Sequence, residues 1–299
     1  LCVEREAAAQ HANIGNIYGD RGDLAKCIAN YEMALKFFNK TGDVRSISIM
    51  SNNLGICHAD MGDLDKAQEY YWRSINIYRR LGDVRMLSST YVNLGIVFYY
   101  MGDTDKAIEH LSEGIKVAES RGGEAVYIAA HLTSLGVMYL DKGESEKARE
   151  YHVRAEKIAT QTGNKNILVA AYSGLASVEL SEGHLDAARQ QADKTLALSR
   201  EIGVKDSEIE ALTMHGILDF RAGNLDSGRK NFEAATDASN GFGMAGKQAD
   251  VRLAYGRELI QSGFEAEAKP MLEKAAEQFL SVNMKGKVAA SRNLLSKLK

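Results

Sequence analysis

A short glycine-containing motif recurs about every 40 residues, and this periodicity constrains the fold more than any other feature of the sequence. The heptapeptide MGDLDKA occupies residues 61–67, and MGDTDKA occupies residues 101–107. Related segments stand at 21–27, 142–148, 182–188, 222–228 and 262–268. A fixed internal period of this length is the signature of a repeat architecture, in which each unit packs on its neighbours.

Two further small-residue series follow the same spacing. The first series is Gly15, Gly55, Gly95, Gly136, Ala176, Gly216 and Gly256. The second series is Gly42, Gly82, Gly122, Gly163, Gly203 and Gly243. Both series slip by one residue near 122–136, which indicates a single insertion that we assign to the extra glycine in RGGE at 121–124. Glycine inside a helix costs about 1 kcal/mol relative to alanine, so the first series indicates close approach of a partner helix.

The segments between the motifs have the apolar spacing of amphipathic helices. Apolar residues recur at intervals of three and four in two adjacent segments: Leu64, Ala67, Tyr71, Ile75 and Tyr78, and Ile47, Met50, Leu54 and Cys57. This spacing places them on one helical face. Each predicted helix has about 17 residues and is about 25 Å long.

The Gly-Asp dipeptides predict where one helix ends and the next begins. Glycine readily adopts the left-handed conformation that ends many helices, and aspartate is a favoured N-cap. We expect 62–63 and 102–103 to join helices within a repeat, and 42–43 and 82–83 to join consecutive repeats. The Arg-Gly-Asp tripeptide at 21–23 belongs to this set. It is therefore interpreted as a helix junction, not as a cell-adhesion signal.

The positions of small and apolar residues in each repeat resemble those of the tetratricopeptide repeat. The matching residues are Leu54, Gly55, Ala67 and Tyr71 in repeat two; Leu94, Gly95, Ala107 and Leu111 in repeat three; and Leu135, Gly136, Ala148 and His152 in repeat four. This sequence departs from the usual form in its longer repeat and in lacking the closing proline. The resemblance implies an all-α fold, a right-handed α-α superhelix of seven helix pairs with a C-terminal capping helix.

The repeat boundaries follow from the glycine series. They lie approximately at 5–41, 42–81, 82–121, 122–162, 163–202, 203–242 and 243–284, with the cap at 285–298. We predict a single domain over residues 1–299. The lone proline, Pro270, falls early in the last paired helix, where it is expected to kink or loosen that helix.

Composition excludes several classes of function. The net charge is −3, whereas nucleic-acid-binding proteins usually carry a basic excess. No stretch approaches the roughly 20 apolar residues that cross a bilayer. Three cysteines without a CxxC pair are typical of a reducing compartment, so a cytoplasmic location is predicted. Cys27 takes the small-residue position of its repeat and is interpreted as a buried substitute for alanine.

Signals for chemistry are weak. The G-x-G-x-x-G at 241–246 follows a helix instead of a strand, so it is interpreted as a turn between repeats. No GxSxG motif occurs, and no histidine pair has metal-ligand spacing. The histidines are interpreted as packing residues. We expect no enzymatic activity, no cofactor and no metal.

A polar ladder marks a candidate binding site on the first helix of three repeats. The ladder consists of Arg5, Arg45 and Arg85, each followed eight residues later by Asn13, Asn53 and Asn93, with Ala9, Ile49 and Ser89 between them. The family resemblance implies that this helix lines the concave groove and that such asparagines contact ligands. An amide can both donate to and accept from a peptide backbone, and arginine can bind a carboxylate. Alternatively, the asparagines bond to the next repeat and the arginines are solvated charges.

The sequence therefore predicts a non-catalytic scaffold or adaptor that binds a protein or peptide segment in its groove, and the arginines favour an acidic segment. The 40-residue Gly-Asp form is also similar to Pins-type polarity adaptors and to bacterial regulatory modules. The alternative is accordingly a ligand-sensing domain of a larger bacterial or archaeal signalling or transcription protein. A third alternative is homo-oligomerisation by end-to-end stacking.

Trp72 lies off the apolar stripe of its helix. It is interpreted either as a contact residue or as a residue that packs on a neighbouring repeat.

Overall fold

The computed structural model describes residues 2–120, 125–240, 244–282 and 284–298, and over these ranges the chain is all-α, as predicted. Its 15 helices are α1 Cys2–Asp20, α2 Leu24–Thr41, α3 Val44–Met61, α4 Leu64–Leu81, α5 Val84–Tyr100, α6 Thr104–Ser120, α7 Ala125–Asp141, α8 Ser145–Thr162, α9 Lys165–Ser181, α10 Leu185–Ile202, α11 Lys205–Arg221, α12 Leu225–Ala238, α13 Ala245–Gln261, α14 Glu265–Ser281 and α15 Lys285–Leu295. The insertion assigned to 121–124 and the start of the 241–246 turn lie outside the described residues.

The chain divides into two compact units, residues 1–142 and 143–299. The first unit contains α1 to α7, and the second contains α8 to α15. Within each unit, consecutive helices pack on each other, and the first helix of a repeat also contacts the first helix of the next, as in α3 with α5 and α11 with α13. No helix in the described ranges is long and apolar enough to cross a membrane.

The helix ends form as the Gly-Asp pattern predicts. All seven glycines of the turns within repeats have positive φ: Gly22, Gly62, Gly102, Gly143, Gly183, Gly223 and Gly263. In the first unit, aspartate side chains then cap the following helix, as Asp43 does by accepting a hydrogen bond from the Ser46 N–H at 3.1 Å. Asp23 of the Arg-Gly-Asp tripeptide caps α2 in the same way.

The glycines inside the first helices of the repeats lie directly against large side chains of the second helices. A Cβ at Gly55 would lie 2.6 Å from the Tyr71 ring, and one at Gly216 would lie 2.8 Å from the Phe232 ring. The close approach expected from the first glycine series is therefore confirmed at these positions. Where Ala176 replaces glycine, Ala192 takes the place of the large partner, and both lie in one core cluster.

The last helix packs as predicted for a cap. In α15, Val288 is buried in a cluster with Leu272 and Phe279 of α14. The preceding helix, α14, runs continuously from Glu265 to Ser281 through Pro270. Pro270 is the sixth residue of α14 and has no N–H to donate to the Ala266 carbonyl, so the helix loses this one bond without ending there.

Two cysteines differ from their sequence interpretation. Cys27 is fully buried in the small-residue position, as expected, but its Sγ is joined to Sγ of Cys57 in a disulfide. The bond links α2 of the first repeat to α3 of the second. The odd cysteine count and the absence of CxxC did not predict this pair, because residues 30 apart in sequence meet only through helix packing.

Several histidines are packing residues, as expected, and two of them are strongly affected by burial. His152 is completely buried in α8 against Gly174 of α9, and neither of its ring nitrogens has a hydrogen-bond partner among the described residues. His131 is 9% exposed in α7. Burial lowers the pKa of each imidazole from 6.5 to about 4, because the charged form loses its hydration.

We predict that Gly55→Ala destabilises the first unit by about 1–2 kcal/mol, because the new Cβ overlaps the buried Tyr71 ring. In a double-mutant cycle, Gly55→Ala combined with Tyr71→Ala should cost less than the sum of the single changes, since the pair then matches Ala176 and Ala192. Urea unfolding followed by circular dichroism measures these differences. Gly286→Ala is the control, because no atom of the described residues lies within 4 Å of its added Cβ. Additive losses at Gly55 and Tyr71 would contradict the packing argument.

We also predict that the free energy of unfolding falls as the pH drops from about 6.5 to about 4. In that range the unfolded chain binds protons at His131 and His152 while the folded chain does not, so each histidine removes about 3 kcal/mol. His152→Leu copies the leucine of repeat three and should remove its share of the pH dependence. Urea titrations at several pH values test this. An unchanged slope in the variant would refute the assignment.

Candidate functional site

The candidate site lies on three helices of the first unit, α1, α3 and α5, which are the first helices of repeats one to three. The repeat period brings equivalent positions of α3 and α5 next to each other, because these two helices are in contact. The predicted ladder residues occupy corresponding turns: Arg5 and Asn13 on α1, Arg45 and Asn53 on α3, and Arg85 and Asn93 on α5. The site therefore depends on the repeat geometry of one unit alone.

A small amide network joins α3 to α5. Asn93 Nδ2 donates to Asn52 Oδ1 at 3.5 Å, and Asn52 Nδ2 lies 3.5 Å from Asn53 Oδ1. The Thr90 hydroxyl lies 3.3 Å from Asn52 Oδ1 and donates at 2.7 Å to the Met86 carbonyl. Two of the three predicted asparagines are thus brought together, while Asn13 stands exposed on α1.

The network leaves one amide atom on each of the two ladder asparagines available. Asn53 accepts through Oδ1, so its Nδ2 hydrogens have no partner among the described residues. Asn93 donates through Nδ2, so its Oδ1 accepts from no described group. Both side chains are half-buried. A donor and an acceptor that are both held by Asn52 match the C=O and N–H of an extended peptide backbone.

The arginines are exposed and stand eight residues before the asparagines on the same helices. Arg45 is 73% exposed and pairs with Asp83, the N-cap of α5, at 3.3 Å. Arg5 and Arg85 are exposed and form no ion pair within the described part of the chain. An exposed ion pair such as Arg45 with Asp83 is weak, because water screens both charges. The guanidinium of Arg45 is therefore available for exchange to a carboxylate of a ligand.

The remaining predicted residues form the inner edge of the site. Ile49 is half-buried and packs on the core cluster of repeats one and two, which includes Leu54 and Cys57. Ser89 is half-buried on α5. These two side chains separate the arginine and asparagine positions along their helices.

Sequence reasoning missed the residues that hold the asparagines in place. Asn52 is 8% exposed and Thr90 is fully buried, and both lie one turn or less from the ladder. Only the packing of α3 on α5 shows that they are partners. The adjacent Asn-Asn pair at 52–53 was a signal in the sequence, because two consecutive amides on a packed helix need partners.

A second polar cluster, in the other unit, is already satisfied by protein. Ligand atoms of Glu179, Glu182 and His184 lie within 4.8 Å of one another, a grouping that the histidine spacing did not predict. Arg149 bonds to Glu179 and, at 2.6 Å, to Glu182. Its guanidinium lowers the pKa of the Glu179 carboxyl. The cluster is therefore best described as an ion-pair network between α8 and α9.

The geometry predicts different stability costs for the two kinds of site residue. Asn52→Ala should lower the free energy of unfolding by about 1–2 kcal/mol, because it leaves a partly buried amide without its acceptor. Arg45→Ala should cost less than about 1 kcal/mol, because the lost ion pair is exposed. Urea unfolding of both variants measures this. Equal losses would mean that Arg45 is a structural residue.

Comparison with known proteins supports the fold. The sequence pattern of the tetratricopeptide repeat matches residues 5–80, 45–120 and 126–201. No curated protein matches this sequence.

Solved structures share the fold at low identity. The apo form of RapI is 13% identical with a TM-score of 0.75, covering 97% of this chain and 99% of that one. The Rap conjugation gene regulator of the plasmid pLS20, in complex with the Phr* peptide, is 13% identical with a TM-score of 0.70, covering 93% and 75%.

A third similar structure comes from a multidomain protein. It is a signal transduction ATPase with numerous domains and a tetratricopeptide repeat sensor, from Pyrococcus horikoshii. It is 19% identical with a TM-score of 0.62, and the match covers 98% of this chain and 43% of that one. Together with the repeat geometry of α1 to α15, the match of the family pattern to most of the sequence shows that this chain belongs to the tetratricopeptide repeat family.

Proposed function

We propose that this protein is a non-catalytic adaptor that binds an extended segment of a partner protein along α1, α3 and α5 of its first unit. The observation that carries this proposal is the paired amide arrangement, in which Asn53 offers a donor and Asn93 an acceptor. Such a pair recognises backbone geometry, so it suits a ligand that is read as a chain. The half-buried position of both amides strengthens each bond, because water competes less.

The arginines add a charge preference to backbone recognition. Arg5, Arg45 and Arg85 provide three guanidinium groups along the same helices, and only Arg45 is paired in the described structure, weakly, with Asp83. Guanidinium groups bind carboxylates in two-pronged geometry. The favoured ligand is therefore a segment that carries aspartate or glutamate, or a free C-terminal carboxylate.

The comparisons are consistent with peptide binding. The Rap regulator of pLS20 has the same fold and was solved with the Phr* peptide. The identity is too low to transfer its ligand or its binding residues to this chain. It supports the proposal only as an example of a peptide held by this kind of fold.

A sensory role is the second candidate. The structure from Pyrococcus horikoshii uses a tetratricopeptide repeat sensor within a larger protein, and this chain covers less than half of that protein. In this alternative, the same site on α1, α3 and α5 holds a small peptide or metabolite, and its binding is signalled to an effector domain. A cytoplasmic location and self-association remain predictions from the sequence.

The test compares the wild-type chain with two variants, Asn53→Ala/Asn93→Ala and Arg45→Ala/Arg85→Ala. Partners captured from lysate are identified by mass spectrometry, and the bound segment is then synthesised for calorimetry. We expect each double variant to weaken binding about tenfold, since each lost bond is worth about 0.5–1.5 kcal/mol. Arg80→Ala, an exposed arginine on α4, is the control and should bind normally.

Two results would count against the adaptor. Unchanged affinity in both double variants, with the fold retained by circular dichroism, would place the site elsewhere. A small molecule that co-purifies with the chain would favour the sensory alternative, if native mass spectrometry shows that the synthesised partner segment does not displace it.

A further inference from the structure

A cleft separate from the asparagine ladder lies between α4, the C-terminal end of α5 and α6. It encloses about 660 Å³, and Trp72, Phe98 and His110 form its aromatic lining. The Trp72 and His110 rings meet edge to face with centroids 5.3 Å apart, and Phe98 stacks on His110 at 5.0 Å. Trp72 thus packs on the neighbouring repeat, and it is also half-buried in the wall of an open cleft.

Among the aromatic residues of this lining, the tryptophan occurs in repeat two alone. At the position of Trp72, the other repeats carry Glu32, Ser112, Val153, Asp193, Glu233 and Glu273. The repeat fold therefore does not require an aromatic residue at this position. A tryptophan that the architecture does not need, placed beside an open cleft, is a candidate contact residue.

The rim of the cleft is acidic. Asp65, Asp103 and Glu109 line it together with one cation, Lys106, which gives a net charge of −2. Lys106 is already used within the protein, since its Nζ lies 2.7 Å from Asp103 and 5.3 Å from the Phe98 ring centroid. Asp65 and Glu109 are exposed and form no ion pair with any described residue.

We propose that this cleft is a second docking site, which binds a basic segment of a partner protein through an arginine or lysine placed on Trp72 and paired with Asp65 and Glu109. The chemistry of the cleft selects this occupant. An indole face attracts a cation, and guanidinium in particular stacks on aromatic rings while it bonds to carboxylates. Within the chain, Lys106 already makes a cation–π contact of this kind with the Phe98 ring.

The charge of this site is opposite to that of the asparagine ladder. The ladder on the first helices of the repeats carries arginines, whereas the cleft on α4 and α6 carries unpaired carboxylates. One partner with both acidic and basic segments, or two different partners, could then occupy the first unit. This second site does not depend on the ladder being functional.

The test uses the full chain and a random peptide library displayed on phage. Enriched peptides are synthesised, and binding is measured by calorimetry and by the emission of Trp72, which is the single tryptophan in the sequence. We expect enriched peptides rich in arginine or lysine that change this emission. Asp65→Asn/Glu109→Gln should weaken their binding about tenfold, and higher salt should weaken it further.

Matched variants separate the two sites. Asp186 stands in repeat five at the position equivalent to Asp65. Asp186→Asn should leave binding unchanged, and so should Asn53→Ala/Asn93→Ala. Trp72→Phe should weaken binding by calorimetry. The two rim substitutions are exposed, and circular dichroism verifies that these variants remain folded.

Three outcomes would overturn the proposal. The first is that no basic peptides are enriched, and the second is that their affinity is the same in the Asp65→Asn/Glu109→Gln variant. The third is that sedimentation shows a dimer that is lost in Trp72→Phe, because the cleft would then be covered by a second copy of this chain.

Discussion

A left-handed glycine follows most of the described helices, and it is the constraint on which the rest of the structure depends. It ends most of these helices after 17 or 18 residues and reverses the chain within two or three residues. The first helices of consecutive repeats can then pack on each other, as α3 does on α5 where Asn93 bonds to Asn52. A ladder of identical side chains can become a surface only because of this packing.

Close packing between the two helices of a repeat is the second level of this design. Gly15, Gly55 and Gly95 give up side chains so that Tyr31, Tyr71 and Leu111 can lie directly on the backbone. Where Ala176 adds a methyl group to the first helix, the facing residue of the second helix is the small Ala192. This packing fixes the second helices, and with them the positions of the residues on their outer face, including Trp72 and Asp65 of α4.

The two candidate binding surfaces of the first unit lie where polar side chains keep hydrogen-bonding or ion-pairing groups that the described residues do not use. On the face of α3 and α5, Asn52 bonds to Oδ1 of Asn53 and to Nδ2 of Asn93. These bonds orient the remaining donor of Asn53 and the remaining acceptor of Asn93. On the face of α4 and α6, Lys106 forms an ion pair with Asp103. Asp65 and Glu109 form no ion pair among the described residues. The first face is suited to a peptide backbone with carboxylates, and the second is suited to a cationic side chain.

The sequence by itself determined the helices, their ends and the repeat family, because these depend on local properties: periodicity, the conformational freedom of glycine and the capping ability of aspartate. It also located Asn53, Asn93 and Trp72 as residues outside the packing pattern. Only the tertiary structure decided which of them have partners. The Cys27–Cys57 disulfide, the role of Asn52 and the cleft at Trp72 all join residues from different helices. Their contacts depend on how helices pack in space, which a one-dimensional pattern does not encode.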